Sequence, residues 1–427
     1  MRTSRLTAAL AVAAALALVA GCGGAGDEDE GDEGAAAGAV KAVPGFDGTT
    51  IKLGVLTPLS GPIAVIGQPL TAGNQVWFDY LNDEEGGVAG KYKVELVQED
   101  TLYEPDTTVQ KYNKLKNDVV AFTQVLGTPS TLAVLPQLVR DEVMAAPASL
   151  DAFWVREPNL LPIGAPYQVQ AINALDYYVN EANGKGKTIC SMIQDDAYGE
   201  AGQAGVDFAA ESLGFEVAST QRFSVGDKDV TGQVQRLQRT GCEAVFLVAT
   251  PTDAGVIWGT AAKLGFAPRW MGQSPVWIDE LAASPLADYL QKTTWIVAEG
   301  TEWGDQSVPG MRDMMARVQK HKPDQDPDYY FAFGYNQARA MTALLEKAVE
   351  LGDLSKQGLL AASEQLGTVS FDGLQGDYQY GPAEQRTPPR NSTIFEVDPD
   401  KPFGLGTLEY AYESDAAGEF TFEKADL

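Results

Sequence analysis

From residue 51 onward, short apolar runs rich in β-branched residues alternate with segments of helical periodicity, and they do so in two successive series. Such alternation dictates parallel strands joined by crossover helices, because each strand must be covered on both faces. The first series opens with a strand at 51–56 that ends in the turn-rich loop Pro58-Leu59-Ser60-Gly61-Pro62. Leu70, Gly73, Trp77, Tyr80 and Leu81 then share one helical face. Strands follow at 92–98, at 119–125 and from Val143, with helices at 107–117 and 131–142. The second series has helices at 168–183, 199–213, 230–239 and 253–264. Its strands lie at 188–194, 215–219, 244–249 and around 270–272. A strand at 294–297, helices at 310–320 and 329–351 and a Gly/Pro/Asp-rich region from Phe371 remain. These are too few elements for a third core, so the chain is expected to return to each lobe in turn.

The N-terminal 21 residues read as a signal peptide, with Arg2 and Arg5 ahead of an apolar run at 6–20 that is short for a membrane span. Val19-Ala20-Gly21-Cys22 resembles the bacterial lipobox, which implies that Cys22 is lipidated and anchors the protein to the cell membrane. Residues 22–45 then form a tether. Its glycines and the acidic run from Asp27 to Glu33 cannot bury enough apolar area to offset ordering entropy. The formal charge of −28, or −30 without Arg2 and Arg5, argues against nucleic acid and against docking on anionic lipid. Export permits a disulfide, and Cys190 and Cys242 lie in or beside strands of one lobe; the expectation is nevertheless two buried free thiols.

Several segments, in this order and spacing over roughly residues 49 to 397, resemble the Leu/Ile/Val-binding family of periplasmic binding proteins, type I. They are the opening strand at 51–56 with Ser60-Gly61-Pro62, Asn82 with Gly86-Gly87-Val88-Ala89-Gly90 and then Asp100, the turn Asp195-Asp196-Ala197-Tyr198-Gly199-Glu200, and Phe371-Asp372-Gly373-Leu374-Gln375-Gly376. The resemblance implies an α/β fold of two doubly wound parallel-sheet lobes joined by three hinge strands, closing over a ligand. Lobe one is expected at 46–165 plus 298–368, and lobe two at 166–297 plus 369–427. It also implies a monomer that serves an ABC permease and ATPase complex outside the cytoplasm.

In open parallel sheets a ligand sits beyond the carboxyl ends of the strands, where loops and helix N-termini converge. The loop Gly127-Thr128-Pro129-Ser130-Thr131 follows a strand and opens a helix, so its N–H groups and hydroxyls suit a carboxylate. The resemblance puts the ligand's carboxylate there, with Thr128 supplying a hydroxyl and Ser130 beside it. It places Ala148, Ser149 and Leu150 on a second ligand loop, Leu150 standing where the family has a polar hydroxyl residue. Tyr198 takes the aromatic wall, and Thr250 and Ser274 two further pocket positions. Ser274 stands where amino-acid-binding members carry the acid that pairs with the ligand's ammonium, and Ile66 where a Tyr is common. A desolvated ammonium without a carboxylate loses several kcal/mol; Asp253 is the substitute within reach, or else it only caps its helix. Trp154, Trp277 and Trp303 are candidates for stacking on a ligand.

Catalysis has little support in the sequence. The single histidine, His321, sits in a polar stretch away from any nucleophile motif, and neither a G-x-S-x-G elbow, a dinucleotide fingerprint nor a P-loop occurs. Three Cys and one His without ligand spacing predict no metal and no cofactor. The expected function is extracytoplasmic capture of a small polar ligand, an amino acid, an amide- or urea-like compound or a carboxylate. A ligand-sensing regulator on the same fold is the first alternative, and a secreted hydrolase the second.

Overall fold

Two sheets organise the chain. The computed structural model describes residues 40–425, so Cys22 and the signal segment lie outside the described residues. Of residues 40–45, expected in the tether, two enter the fold: Val40 is buried with its N–H donating to the Tyr92 hydroxyl at 3.1 Å, and Val43 pairs with Phe46. These valines have a core to enter.

The first series runs β1 (Thr50–Thr57), α1 (Ala64–Asp83), β2 (Lys93–Asp100), α2 (Pro105–Leu115), β3 (Ala121–Leu126), α3 (Thr128–Asp141) and β4 (Ala145–Ala148). Its strands form an all-parallel sheet in the order β2-β1-β3-β4. All six residues of β3 are buried, and four of them are apolar, as a strand covered on both faces requires. The second series continues with α4 (Tyr167–Asp176), β5 (Ile189–Gln194), α5 (Ala197–Leu213), β6 (Val217–Phe223), α6 (Thr231–Thr240) and β7 (Ala244–Val248). Then come α7 (Pro251–Lys263), β8 (Arg269–Gln273), α8 (Ala287–Thr293) and β9 (Thr294–Ala298).

The remaining chain serves both sheets. Helices α9 (Pro309–His321), α10 (Tyr329–Leu351) and α11 (Lys356–Ser363) are followed by the small hairpin β10 (Thr368–Val369) and β11 (Tyr378–Gln379). Phe371, Tyr378 and Tyr380 stay in one apolar cluster with Ile51, Leu53 and Leu344. The chain reaches the second sheet only at β12 (Ser392–Val397) and β13 (Leu405–Tyr412), well beyond residue 369; α12 (Asp415–Glu419) follows. That sheet has the order β13-β12-β9-β8-β7-β5-β6, with β12 antiparallel to both β9 and β13. The antiparallel pair is a departure from the parallel sheet expected. Its strands carry polar residues among the apolar ones and are set among Pro, Gly and Asp, so no apolar run announces them.

Helices α1 and α10 cross with backbones touching. A Cβ on Gly334 would lie 1.8 Å from the Leu70 carbonyl oxygen, and one on Gly73 2.0 Å from that of Phe331. The expectation of free thiols is overturned: Cys190 on β5 and Cys242 just ahead of β7 form a disulfide, with Cα atoms 5.9 Å apart. β5 and β7 are neighbours in register, and that pairing brings the two cysteines together.

The passage from β4 to α4 is pinned by two arginines. Arg386, fully buried, donates to the carbonyls of Glu157 at 2.8 Å and Leu160 at 2.9 Å, and reaches those of Gly381 and Pro158. In return Arg156 donates to the carbonyls of Ala383 at 2.9 Å and Arg386 at 2.8 Å.

Candidate binding cleft

The carboxyl ends of both sheets face one cleft of about 970 Å³ of empty space, counting solvent at its mouth. On the first wall, β3 ends at Leu126 and α3 begins directly at Thr128. The first turn of a helix has N–H groups with no intrahelical partner, and the axis adds positive potential there. Thr128 lines the cleft, and its hydroxyl oxygen is buried without a protein partner. Ala148, at the end of β4, accepts from the Gly127 N–H at 3.2 Å and so ties the two loops together. Ser149 lines the cleft while its hydroxyl oxygen accepts from Trp154 Nε1 at 3.0 Å, leaving the hydroxyl proton free. Leu150 and Ile66 contribute apolar surface.

On the second wall Asp196 caps α5, accepting from the N–H groups of Tyr198 at 3.0 Å and Gly199 at 3.2 Å. This holds Tyr198 at the helix start, its ring 5.0 Å from that of Tyr167. Thr250, between β7 and α7, and Ser274, just after β8, line the same space.

Other expected residues lie elsewhere. Ser130 is buried behind the cleft, where its hydroxyl oxygen accepts from Thr108 at 3.1 Å and links α2 to α3. Asp253 is not among the lining residues; its carboxylate accepts from the Gly226 N–H at 3.0 Å and the Thr250 hydroxyl at 3.1 Å. Its carboxyl is pushed up by burial, those two bonds opposing the shift. Of the three tryptophans, Trp277 lines the cleft. Trp154 is core, and Trp303 packs on the rings of Tyr329 and Phe403.

The walls also carry residues that the sequence did not single out: Tyr103, Tyr167, Glu299, Tyr330 and Phe333. Tyr103 and its neighbour Leu102 both adopt left-handed backbone, at φ 63° and 57°, and this turn lays the Tyr103 ring over Gly127. Tyr103, Glu299 and Tyr330 each follow a strand end or open a helix. That was the available signal, but periodicity alone does not choose among loop residues. Polar bonds join the walls: Tyr330, on α10, donates to the Trp277 carbonyl at 2.8 Å, with that of Pro275 also within reach at 3.1 Å, and Thr252 donates to that of Pro62 at 3.4 Å.

Among the described residues, apart from tyrosine phenols, Glu299 is the only ionisable group lining the cleft, and no Lys, Arg or His does so. Burial pushes its carboxyl up to about 7, against one opposing hydrogen bond from the Ala165 N–H at 2.9 Å. Most of the remaining lining is aliphatic or aromatic, including Ile63, Leu70, Leu126, Ile296 and Leu405.

A periodic arrangement of this kind has known counterparts. A family model described as periplasmic binding protein matches residues 50–402. The "Leucine-, isoleucine-, valine-, threonine-, and alanine-binding protein" of Pseudomonas aeruginosa is 27% identical over 243 residues, which cover 55% of this chain and 63% of that protein. The match thus spans less than two thirds of that relative's length. The solved structure of a fatty acid ABC transporter substrate-binding protein from Thermomonospora curvata aligns at a TM-score of 0.82 and 27% identity, covering 90% of this chain and 98% of that one. A branched chain amino acid ABC transporter protein from Thermus thermophilus with bound valine shares the fold, at a TM-score of 0.76 and 17% identity over 87% of this chain and 98% of its own. The matched segment takes in the first sheet, all of the second except β13, and the loops that carry Thr128, Ser149, Tyr198 and Glu299, and the chain belongs to the periplasmic binding protein family.

Proposed function

We propose that the protein is the extracytoplasmic solute-binding component of an ABC importer, held to the membrane through Cys22, and that its ligand is a monocarboxylate with an apolar body. One observation carries the ligand class: an anion-ready helix start at Thr128 faces walls that are otherwise almost wholly apolar. The position that an ammonium would need is Ser274, and Asp253 is occupied by Gly226 and Thr250. The name of the Thermomonospora curvata protein, which states a fatty acid, supports the same reading.

In this mechanism the carboxylate meets Thr128 and the Ala148–Ser149 loop on lobe one, the lobe built on the first sheet. Lobe two, built on the seven-stranded sheet, then brings Tyr198 over the apolar body. Closure buries the ligand and presents a changed outer surface to the permease. No step makes or breaks a covalent bond.

Thermal-shift and calorimetric titration with octanoate, benzoate, leucine and valine tests the ligand class. A carboxylate present at a hundred times its Kd adds about 2.7 kcal/mol to folding stability, and the monocarboxylates are expected to raise Tm more than the amino acids do. Leucine or valine raising Tm while no monocarboxylate does so refutes the reading. Replacing Thr128 with valine removes one charge-assisted hydrogen bond and is expected to weaken octanoate binding by about 1–3 kcal/mol. Unchanged affinity by calorimetry would place the anion grip elsewhere.

A further inference from the structure

Glu299 follows β9 at the point where the chain passes residues 164–165, and its geometry is particular. Its Oε2 accepts from the Ala165 N–H at 2.9 Å, while Oε1 is buried with no protein partner. Gly164, at φ 76°, leaves room for it: a Cβ there would lie 2.1 Å from Oε1. The side chain as a whole is half-buried because it lines the cleft. We infer that Glu299 is a specificity-determining residue that holds a proton while an anionic ligand fills the cleft, so that the protein captures a carboxylate together with one proton from solvent.

The inference rests on the ligand class proposed above, and the charges in the cleft carry it. With no cation among the lining residues, an ionised Glu299 and a bound carboxylate would be two like charges in one water-poor space. One of them must be neutral. The ligand's carboxylate has helix-start N–H groups and the Thr128 hydroxyl to stabilise its charge, whereas Glu299 has a single N–H. The proton therefore goes to Glu299, which then has an O–H to donate across the cleft. This agrees with burial raising the group to about 7.

The neighbours leave Glu299 alone in this role. Tyr167, on α4, is close enough to feel its charge, and α10 supplies Tyr329 and Tyr330 to the same cleft; burial raises all three phenols far above neutrality. From β12, Thr393 pairs with Ala298 and carries no titrating group. Two other buried carboxyls titrate nearby in pH but do not line the cleft. Asp328, which caps α10, is pushed up to about 7, and Asp151 to about 6, burial being the main cause in each.

Calorimetry with octanoate, in pairs of buffers of different ionisation heat, counts protons taken up on binding. For a group titrating near 7 the expected result is uptake approaching one proton at about pH 8 and affinity falling roughly tenfold between about pH 6 and about pH 8. Glu299→Gln keeps the shape and loses the charge. It is expected to bind octanoate with affinity constant to within about twofold over that range and with no proton uptake, while Asp328 and Asp151 still titrate. Octanoate bound by the natural protein without proton uptake, or a pH slope preserved in the Gln variant, overturns the role of Glu299 and leaves the ligand class standing. Octanoate bound at neither pH overturns both.

Discussion

Replacing Arg386 with leucine lowers the free energy of unfolding by about 3–5 kcal/mol. The guanidinium is buried and spends its donors on backbone carbonyls of Glu157, Leu160, Gly381 and Pro158, with no ion pair to a carboxylate. Leucine fills part of the volume but leaves those carbonyls without donors, each at a cost of about 1–3 kcal/mol if water cannot reach it. Losing the desolvation penalty of the charge offsets some of this, which is why the total stays below the simple sum. The effect reaches the ligand too. Leu160 bridges to Ala145 at the start of β4, the strand that delivers Ala148 and Ser149 to the cleft. Urea denaturation followed by circular dichroism gives the stability, and a change below about 1 kcal/mol would show that water or Arg156 takes over the carbonyls.

The second large effect is expected from the disulfide. Cys190 and Cys242 are 52 residues apart, and in the chain-entropy account closing a loop of this size contributes about 4 kcal/mol. Cys190→Ala with Cys242→Ala is therefore expected to lose about that much, and slightly more from lost packing, since both cysteines are buried in one apolar cluster. Binding should persist, because neither cysteine lines the cleft. Native-state hydrogen exchange locates the loss: amides of β5 and β7 should lose protection while those of β1 and β3 keep theirs. Equal loss in both sheets, or a double variant as stable as the natural protein, contradicts this.

The two βα series were legible because a parallel strand covered on both faces is apolar along most of its length, as β7 is throughout. The helix starts at Thr128 and Tyr198 were legible for a related reason: a strand, a short turn and a helix in succession place the turn at the sheet's carboxyl edge. Ser130 was a near miss of two residues, since on a helix that spacing turns a side chain away from its neighbour's face. Glu299 was not legible. It is a lone acid after a strand, and only the pairing of β9 with β8 and the passage of Gly164 beside it make it part of the cleft. β12 escaped because its partner β9 is distant in sequence, and β13 because it pairs only with β12 and carries Gly, Thr and Glu among its apolar residues. The disulfide escaped because it depends on strand order, which periodicity does not encode.

The bonds from Tyr330 to Trp277 and from Thr252 to Pro62 form a slender latch between the two walls, and the second is long. Net hydrogen bonds contribute only about 0.5–1.5 kcal/mol each, so these bonds by themselves hold the walls weakly. In the mechanism proposed above, cargo then becomes part of its own lock, and the apolar surface it covers sets much of how long it stays.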